Sequence, residues 1–279
     1  MTSHCWEGEV ESRFARKEVE KIMSPAMRPL TRHFELYSIH INRTEEIKMK
    51  NNLMKNNLTE LVFILDRSGS MGGLESDTIG GFNSMLAKQQ AEPSECRITT
   101  ILFDNQYETL HDRIDLQAVS PITPQEYFVR GQTALLDAVG ITINKIIGVQ
   151  KNIAKEHRAA KVLFVITTDG MENASREFTY DKVKALIEQQ KSDHGWEFIF
   201  LGANIDAVEV AGRFGIDRSR AQNFHNDSEG IALNYSVLSD TIKMARAAPA
   251  SAPAMFSDDW NDEIQTDFQG RGKAGKWRR

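Results

Sequence analysis

Three short segments of the chain place oxygen donors where strands give way to turns or helices begin. Asp66-Arg67-Ser68-Gly69-Ser70 directly follows the apolar run Leu61-Val62-Phe63-Ile64-Leu65. Gly131-Gln132-Thr133 opens a long stretch of helical apolar spacing, and Thr168-Asp169-Gly170 closes a second apolar run that begins at Lys161. In a doubly wound sheet, ligands sit in the crevice beyond the carboxyl ends of the central strands, and these segments should converge there. Together they offer two carboxylates and three hydroxyls, all hard donors, with no His or Cys among them. Such a set suits Mg2+, Mn2+ or Ca2+ rather than Zn2+. With two carboxylates only, coordination by the protein is incomplete. Mg2+ keeps waters in such a site, leaving room for an incoming acidic oxygen.

A plainer reading competes with this one. Asp-x-Ser-x-Ser alone could be an Asx turn capping the next helix, because Asp and Ser favour such positions. Thr133 and Asp169 at matching element ends weigh for the shared site. An N-cap role for Thr133 is compatible with ligation. Asp137, one turn into the same helix, reads as an exposed or capping carboxylate rather than a ligand.

The elements that must position these groups follow from apolar patterning. The run 61–65 and the run 161–167 are continuous, as expected of parallel strands buried on both faces. Ile79, Phe82, Met85 and Leu86 recur at helical spacing after the first turn, as do Leu135, Leu136, Val139, Ile143, Ile146 and Ile147 later. Strands at 97–103 and 107–111 flank Asp104-Asn105 and predict an antiparallel hairpin. Helices over 178–191, 205–214 and 229–247 alternate with a strand at 196–201 and an edge strand at 221–224. This alternation predicts a mostly parallel six-stranded sheet with one antiparallel edge strand and helices on both faces.

At this point the sequence resembles a known family. Asp66-x-Ser68-x-Ser70, then Thr133, then Asp169 is similar to the metal-ion-dependent adhesion site (MIDAS) of von Willebrand factor type A (VWA) domains, and all five motif positions match. The resemblance covers about 58–245 and is strongest to small bacterial stand-alone members. Gly80-Gly81-Phe82-Asn83 and Gly202-Ala203-Asn204-Ile205-Asp206-Ala207 add to it weakly. It implies a three-layer Rossmann-like fold in which Ser68, Ser70 and Thr133 ligate the ion through their hydroxyls. Asp66 and Asp169 would act directly or through water, and a partner's Asp or Glu would complete the coordination. The role implied is divalent-metal-dependent protein binding, not catalysis. Arg67, Met71 and Leu74, beside the ion in the loops, are candidate specificity contacts.

Two enzyme-like or ion-only alternatives remain: a metal-dependent phosphohydrolase using Asp66, and a scaffold whose ion is purely structural. A haloacid-dehalogenase-type aspartyl nucleophile wants a second carboxylate two residues on, and Ser68 stands there. An EF-hand over 66–77 fails because Met71 takes the position that needs Gly. Phosphate-loop, dinucleotide-fingerprint, zincin and nucleophile-elbow motifs are missing from the sequence.

Composition sets the outer bounds. The chain has 279 residues, 41% hydrophobic and 26% charged, with 18 Gly and seven Pro, a globular balance. A net charge of −5 argues against general nucleic-acid binding. No apolar run reaches the ~18–20 residues of a membrane span, and no signal peptide is visible at the N-terminus. Two cysteines, Cys5 and Cys96, form no framework, which fits a reducing cytoplasm, a bacterial one by the resemblance above. Residues 1–53 read as a mobile extension ending near a tandem repeat, with Met49 or Met54 as a possible true start. The domain proper is expected over 54–247. Residues 248–279, acidic then basic, read as a flexible, solvated or partner-docking tail. Cys96 is expected to be a small buried hydrophobe, and His111, His157, His194 and His225 surface or turn residues.

Overall fold

The computed structural model describes residues 57–252 and 255–271. The extension 1–53, the candidate starts Met49 and Met54, and the basic end 272–279 lie outside the described residues.

Six strands form one sheet in the order β3-β2-β1-β4-β5-β6. These are β1 (Thr59–Asp66), β2 (Cys96–Phe103), β3 (Tyr107–Asp115), β4 (Lys161–Thr168), β5 (Glu197–Gly202) and β6 (Ala221–Asn223). Five are parallel, and β3 runs antiparallel to β2 at one edge. Among the described residues, six α-helices accompany the sheet: α1 (Glu75–Gln90), α2 (Leu135–Asn152), α3 (Tyr180–His194), α4 (Ala207–Arg213), α5 (Ser228–Ala247) and α6 (Asp262–Arg271).

Strand side chains alternate between faces, so each central strand feeds two cores. Leu61, Phe63 and Leu65 of β1 join Leu163, Val165, Ile199 and Leu201 on one face, under α1 and α5. Val62 and Ile64 join Phe164, Ile166, Phe198 and Phe200 on the other, under α2, α3 and α4. This explains why the strands read as unbroken apolar runs rather than as alternating ones. The chain is therefore a three-layer α/β fold.

Connection handedness accounts for the layering. From β1 the chain moves outward to β2 through α1, and from β4 it moves the opposite way to β5 through α3. Right-handed crossovers in opposite directions put their helices on opposite faces. The two halves part between β1 and β4, and a crevice opens there at the carboxyl ends.

Glycine permits one close approach between layers. A Cβ on Gly81 of α1 would lie 2.2 Å from the Tyr235 ring of α5. The Gly80-Gly81-Phe82-Asn83 stretch is thus a helix-packing feature, and Phe82 meets Tyr235 edge-on at 6.4 Å.

The C-terminal segment differs from the sequence expectation. Residues 255–271 pack against the domain, with Phe256, Trp260 and Ile264 buried in the α1/α5 core. Ile264 lies on α6, and Phe256 and Trp260 lie in the irregular segment before it. Trp260 Nε1 donates to Ser219 O at 2.7 Å, and Asp258 pairs with Arg220 at 2.6 Å. The acidic groups that suggested a solvated tail are partly held by a cation of the domain. Among the described residues, no helix is long and apolar enough to cross a membrane.

Candidate metal centre

All five residues singled out from the sequence meet at the β1/β4 crevice. Asp66 is the last residue of β1, and Asp169 directly follows β4. Ser68 Oγ lies 3.1 Å from Ser70 Oγ, and Thr133 Oγ1 donates to Ser68 Oγ at 3.0 Å. Ser70 Oγ donates to Asp169 Oδ1 at 2.5 Å. Asp66 accepts from the Ser68 N–H at 2.7 Å and from the Thr168 hydroxyl at 2.6 Å. The Asx turn is therefore real, and it coexists with the cluster instead of replacing it.

The donor set has the spacing of a hard divalent cation's shell. In an octahedral shell with metal–oxygen distances near 2.1 Å, neighbouring ligand oxygens stand about 3.0 Å apart. The hydroxyl separations of 3.0 and 3.1 Å fit that edge length. The hydroxyls also surround a cradle above Gly170. A Cβ there would meet Thr133 Oγ1 at 3.0 Å, Ser70 Oγ at 3.2 Å and Ser68 Oγ at 3.8 Å. The residues present fit a small oxygen-coordinated ion. Among the described residues, no group of three or more His, Cys, Asp or Glu is placed to hold a metal ion, so the candidate centre depends on its hydroxyls.

Electrostatics point the same way. Burial pushes the Asp66 carboxyl up to about 6, against the hydrogen bonds from Thr168 and Ser68 that favour its anion. Burial likewise raises Asp169, opposed by Ser70 and Asn226. Two carboxylates disfavoured as anions by desolvation gain most from a cation between them.

Backbone bonds lock the three loops together. Gly69 N donates to Gly131 O at 3.2 Å, and Arg130 N to Arg67 O at 2.9 Å. Gly131 has φ +69, and a Cβ there would stand 2.1 Å from Asn105 Oδ1, so this crossing requires glycine. Tyr127 donates its hydroxyl to Asp66 O at 2.6 Å. Thr133 exchanges two bonds with Asn173, its N–H reaching Asn173 Oδ1 at 2.9 Å. Ala134 holds the N-cap position of α2 without a side-chain cap, so Thr133 spends its hydroxyl on Ser68 and does not cap the helix.

A reciprocal pair of carboxylates fixes the loop after β4. Glu172 accepts from the N–H of Leu136 at the start of α2, at 2.8 Å. Asp137 of α2 in turn accepts from the N–H groups of Arg176, Glu177 and Phe178. Asp137 thus holds the loop ahead of α3 and caps no helix, since Ala134 is the N-cap of α2 and Thr179 that of α3. Glu172, Asn173, Tyr127 and the Thr168 hydroxyl escaped the sequence reading. A polar Glu-Asn pair directly after Asp169-Gly170-Met171 was the available signal.

Two expectations fail. Arg67 and Met71 are buried, so neither can be a surface contact for a partner. The Arg67 guanidinium pairs with Asp104 at 3.1 Å and Glu108 at 2.6 Å, and Arg130 joins Asp104 at 2.7 Å. Leu74 is only partly buried and packs against the core. His111 is also buried, with its Nδ1 3.0 Å from Thr100 Oγ1, whereas His157 and His194 are exposed. Cys96 is buried as expected, and burial pushes its thiol up to about 12.

The three-layer α/β fold is the one the resemblance to VWA domains implies. No protein-family model matches the sequence, and no curated protein matches it. Solved structures do. A mutant of the PilB minor pilin from Streptococcus sanguinis aligns at 13% identity and TM-score 0.47, over 70% of this chain and 63% of the pilin. Manganese-loaded TRAP protein from Plasmodium vivax aligns at 18% identity and TM-score 0.47, over 64% and 72%. The vWF domain of the type V pili tip protein Mfa5 from Porphyromonas gingivalis aligns at 12% identity and TM-score 0.45, over 66% and 95%. This chain thus spans less than two thirds of the pilin's length. At these scores the site geometry, not the likeness, carries the functional reading.

Proposed function

We propose that this chain is a divalent-cation-dependent protein-binding module of the VWA type, its domain spanning about 54–247 with residues 255–271 packed onto it. Ser68, Ser70 and Thr133, with Asp66 and Asp169, would hold Mg2+, or Mn2+ or Ca2+ in its place. The ion would supply a Lewis-acidic point that accepts an Asp or Glu carboxylate of a partner protein. The hydroxyl cluster at octahedral-edge spacing, set between two carboxylates at the mouth of the crevice, carries this reading.

The chain's own residues supply orientation and charge balance. Hydroxyls are neutral ligands, so the two carboxylates balance the charge of a dication only when both are ionised. A further acidic oxygen from outside is then drawn to an ion held by weak neutral donors. Asp66 is oriented by the Ser68 N–H and the Thr168 hydroxyl, one on each oxygen, which leaves a lone pair on each for the ion or its water. Position 68, where a phosphohydrolase would want its proton donor, is a buried Ser.

Affinity capture from a lysate tests the proposal, using wild type and Ser68→Ala/Ser70→Ala protein, each with Mg2+ or EDTA. A protein retained only by wild type with Mg2+ is the expected result. Identical captures in all four arms would reject the adhesion role and leave the structural-ion reading.

A further inference from the structure

A fourth loop reaches the candidate centre. Asn226, between β6 and α5, donates its Nδ2 to Asp169 Oδ2 at 3.1 Å, while Ser70 holds the other carboxylate oxygen at 2.5 Å. The carboxylate is therefore gripped at both oxygens from two separate loops. The amide orientation follows from chemistry, since an anionic oxygen must face N–H and not C=O.

Asn226 has no evident duty in the fold. The neighbouring Asp227 caps α5, accepting from Gly230 N at 2.8 Å. The other amide atom of Asn226, Oδ1, is buried and without a partner among the described residues, and so is His225 Nε2. An unpaired buried carbonyl costs stability. Both residues line an open groove of about 820 Å3 next to Asp169, together with Met171, Asn204, Phe268 and Arg271.

The C-terminal helix fastens this loop. The Phe268 ring lies against His225 with centroids 4.9 Å apart, and Arg271 Nη1 donates to Asp227 Oδ2 at 2.8 Å. A continuous set of contacts thus runs from α6 through residues 225–227 to Asp169.

We infer that the β6–α5 loop is a fourth limb of the metal centre: Asn226 positions Asp169 for the cation, and α6 determines where Asn226 stands. The inference rests on the metal-binding reading of the site. A carboxylate oriented by an outer hydrogen bond loses about 10–100-fold in metal affinity when that partner is removed.

The test is calorimetric titration of Mn2+ into the full chain, for wild type, Asn226→Ala and Phe268→Ala/Arg271→Ala, alongside melting of each in EDTA. Asn226→Ala should bind Mn2+ about 10-fold or more weakly while its metal-free melting temperature holds or rises. The α6 variant should shift affinity in the same direction by a smaller factor. Should it melt early, Arg271→Ala alone replaces it. Equal Mn2+ affinity in wild type and Asn226→Ala overturns the inference. So does weakened affinity accompanied by an equally weakened metal-free fold. Wild-type affinity in both α6 variants would remove α6 from the account. If wild type itself takes up no Mn2+, the metal reading of the site fails first, and the inference falls with it.

Discussion

Hydroxyls are poor ligands singly, and the centre depends on where three of them stand. Ser70 contributes twice, since its Oγ neighbours Ser68 Oγ and also holds Asp169. Ser70→Ala should therefore weaken Mn2+ binding more than a lone lost donor would, by at least tenfold in titration calorimetry. Cys96 sits at the opposite end of the sheet and makes a contrasting prediction. With its thiol pushed up to about 12 by burial, it carries almost no thiolate at pH 8. The Cys96 peptide should escape iodoacetamide in the native protein and be alkylated in denaturant, as read by peptide mass spectrometry. Rapid native labelling would contradict its burial. At this scale the five candidate ligands were legible because they match a spaced motif at the ends of predicted elements. Arg67 was not, because a cation inside a polar motif looks solvent-facing until Asp104 and Glu108 are brought to it through the β2–β3 hairpin.

Elements place those residues, and their junctions are where stability can be tested. Gly81 allows α1 and α5 to touch at the Tyr235 ring. Ala at position 81 gains about 1 kcal/mol of helix propensity but must displace that ring. The clash should win, costing roughly 1–3 kcal/mol in urea unfolding, as overpacking does. A stabilised Gly81→Ala would show that the helices separate freely. Lys161 opens β4 with its ammonium buried against the C-terminal carbonyls of α5, bonding Arg246 O at 2.5 Å and Ala245 O at 3.0 Å. Lys161→Met should cost about 1–3 kcal/mol by leaving those acceptors unpaired, again by urea unfolding. The main strands were readable because burial on both faces writes a continuous apolar run. Helix α6 was hidden by its acidic neighbours, and Asn226 by standing in a loop outside the three motif segments.

For the whole molecule, the sheet's change of direction between β1 and β4 creates the crevice, and the loops around it converge there, the first through a 3-10 turn at Gly69–Met71. A ligand that binds the folded state alone stabilises it by about 4 kcal/mol at a concentration 1,000 times Kd. For a domain of this size, that raises the melting temperature by roughly 8–16 °C. Excess Mg2+ should produce such a rise in wild type and none in Ser68→Ala/Ser70→Ala. An equal rise in both would place the ion elsewhere. The most direct measurement is anomalous diffraction from crystals soaked in Mn2+. The account predicts a strong peak within bonding distance of the Ser68, Ser70 and Thr133 hydroxyls. No peak between Asp66 and Asp169 at saturating Mn2+, in crystals whose loops leave the crevice open, would contradict it.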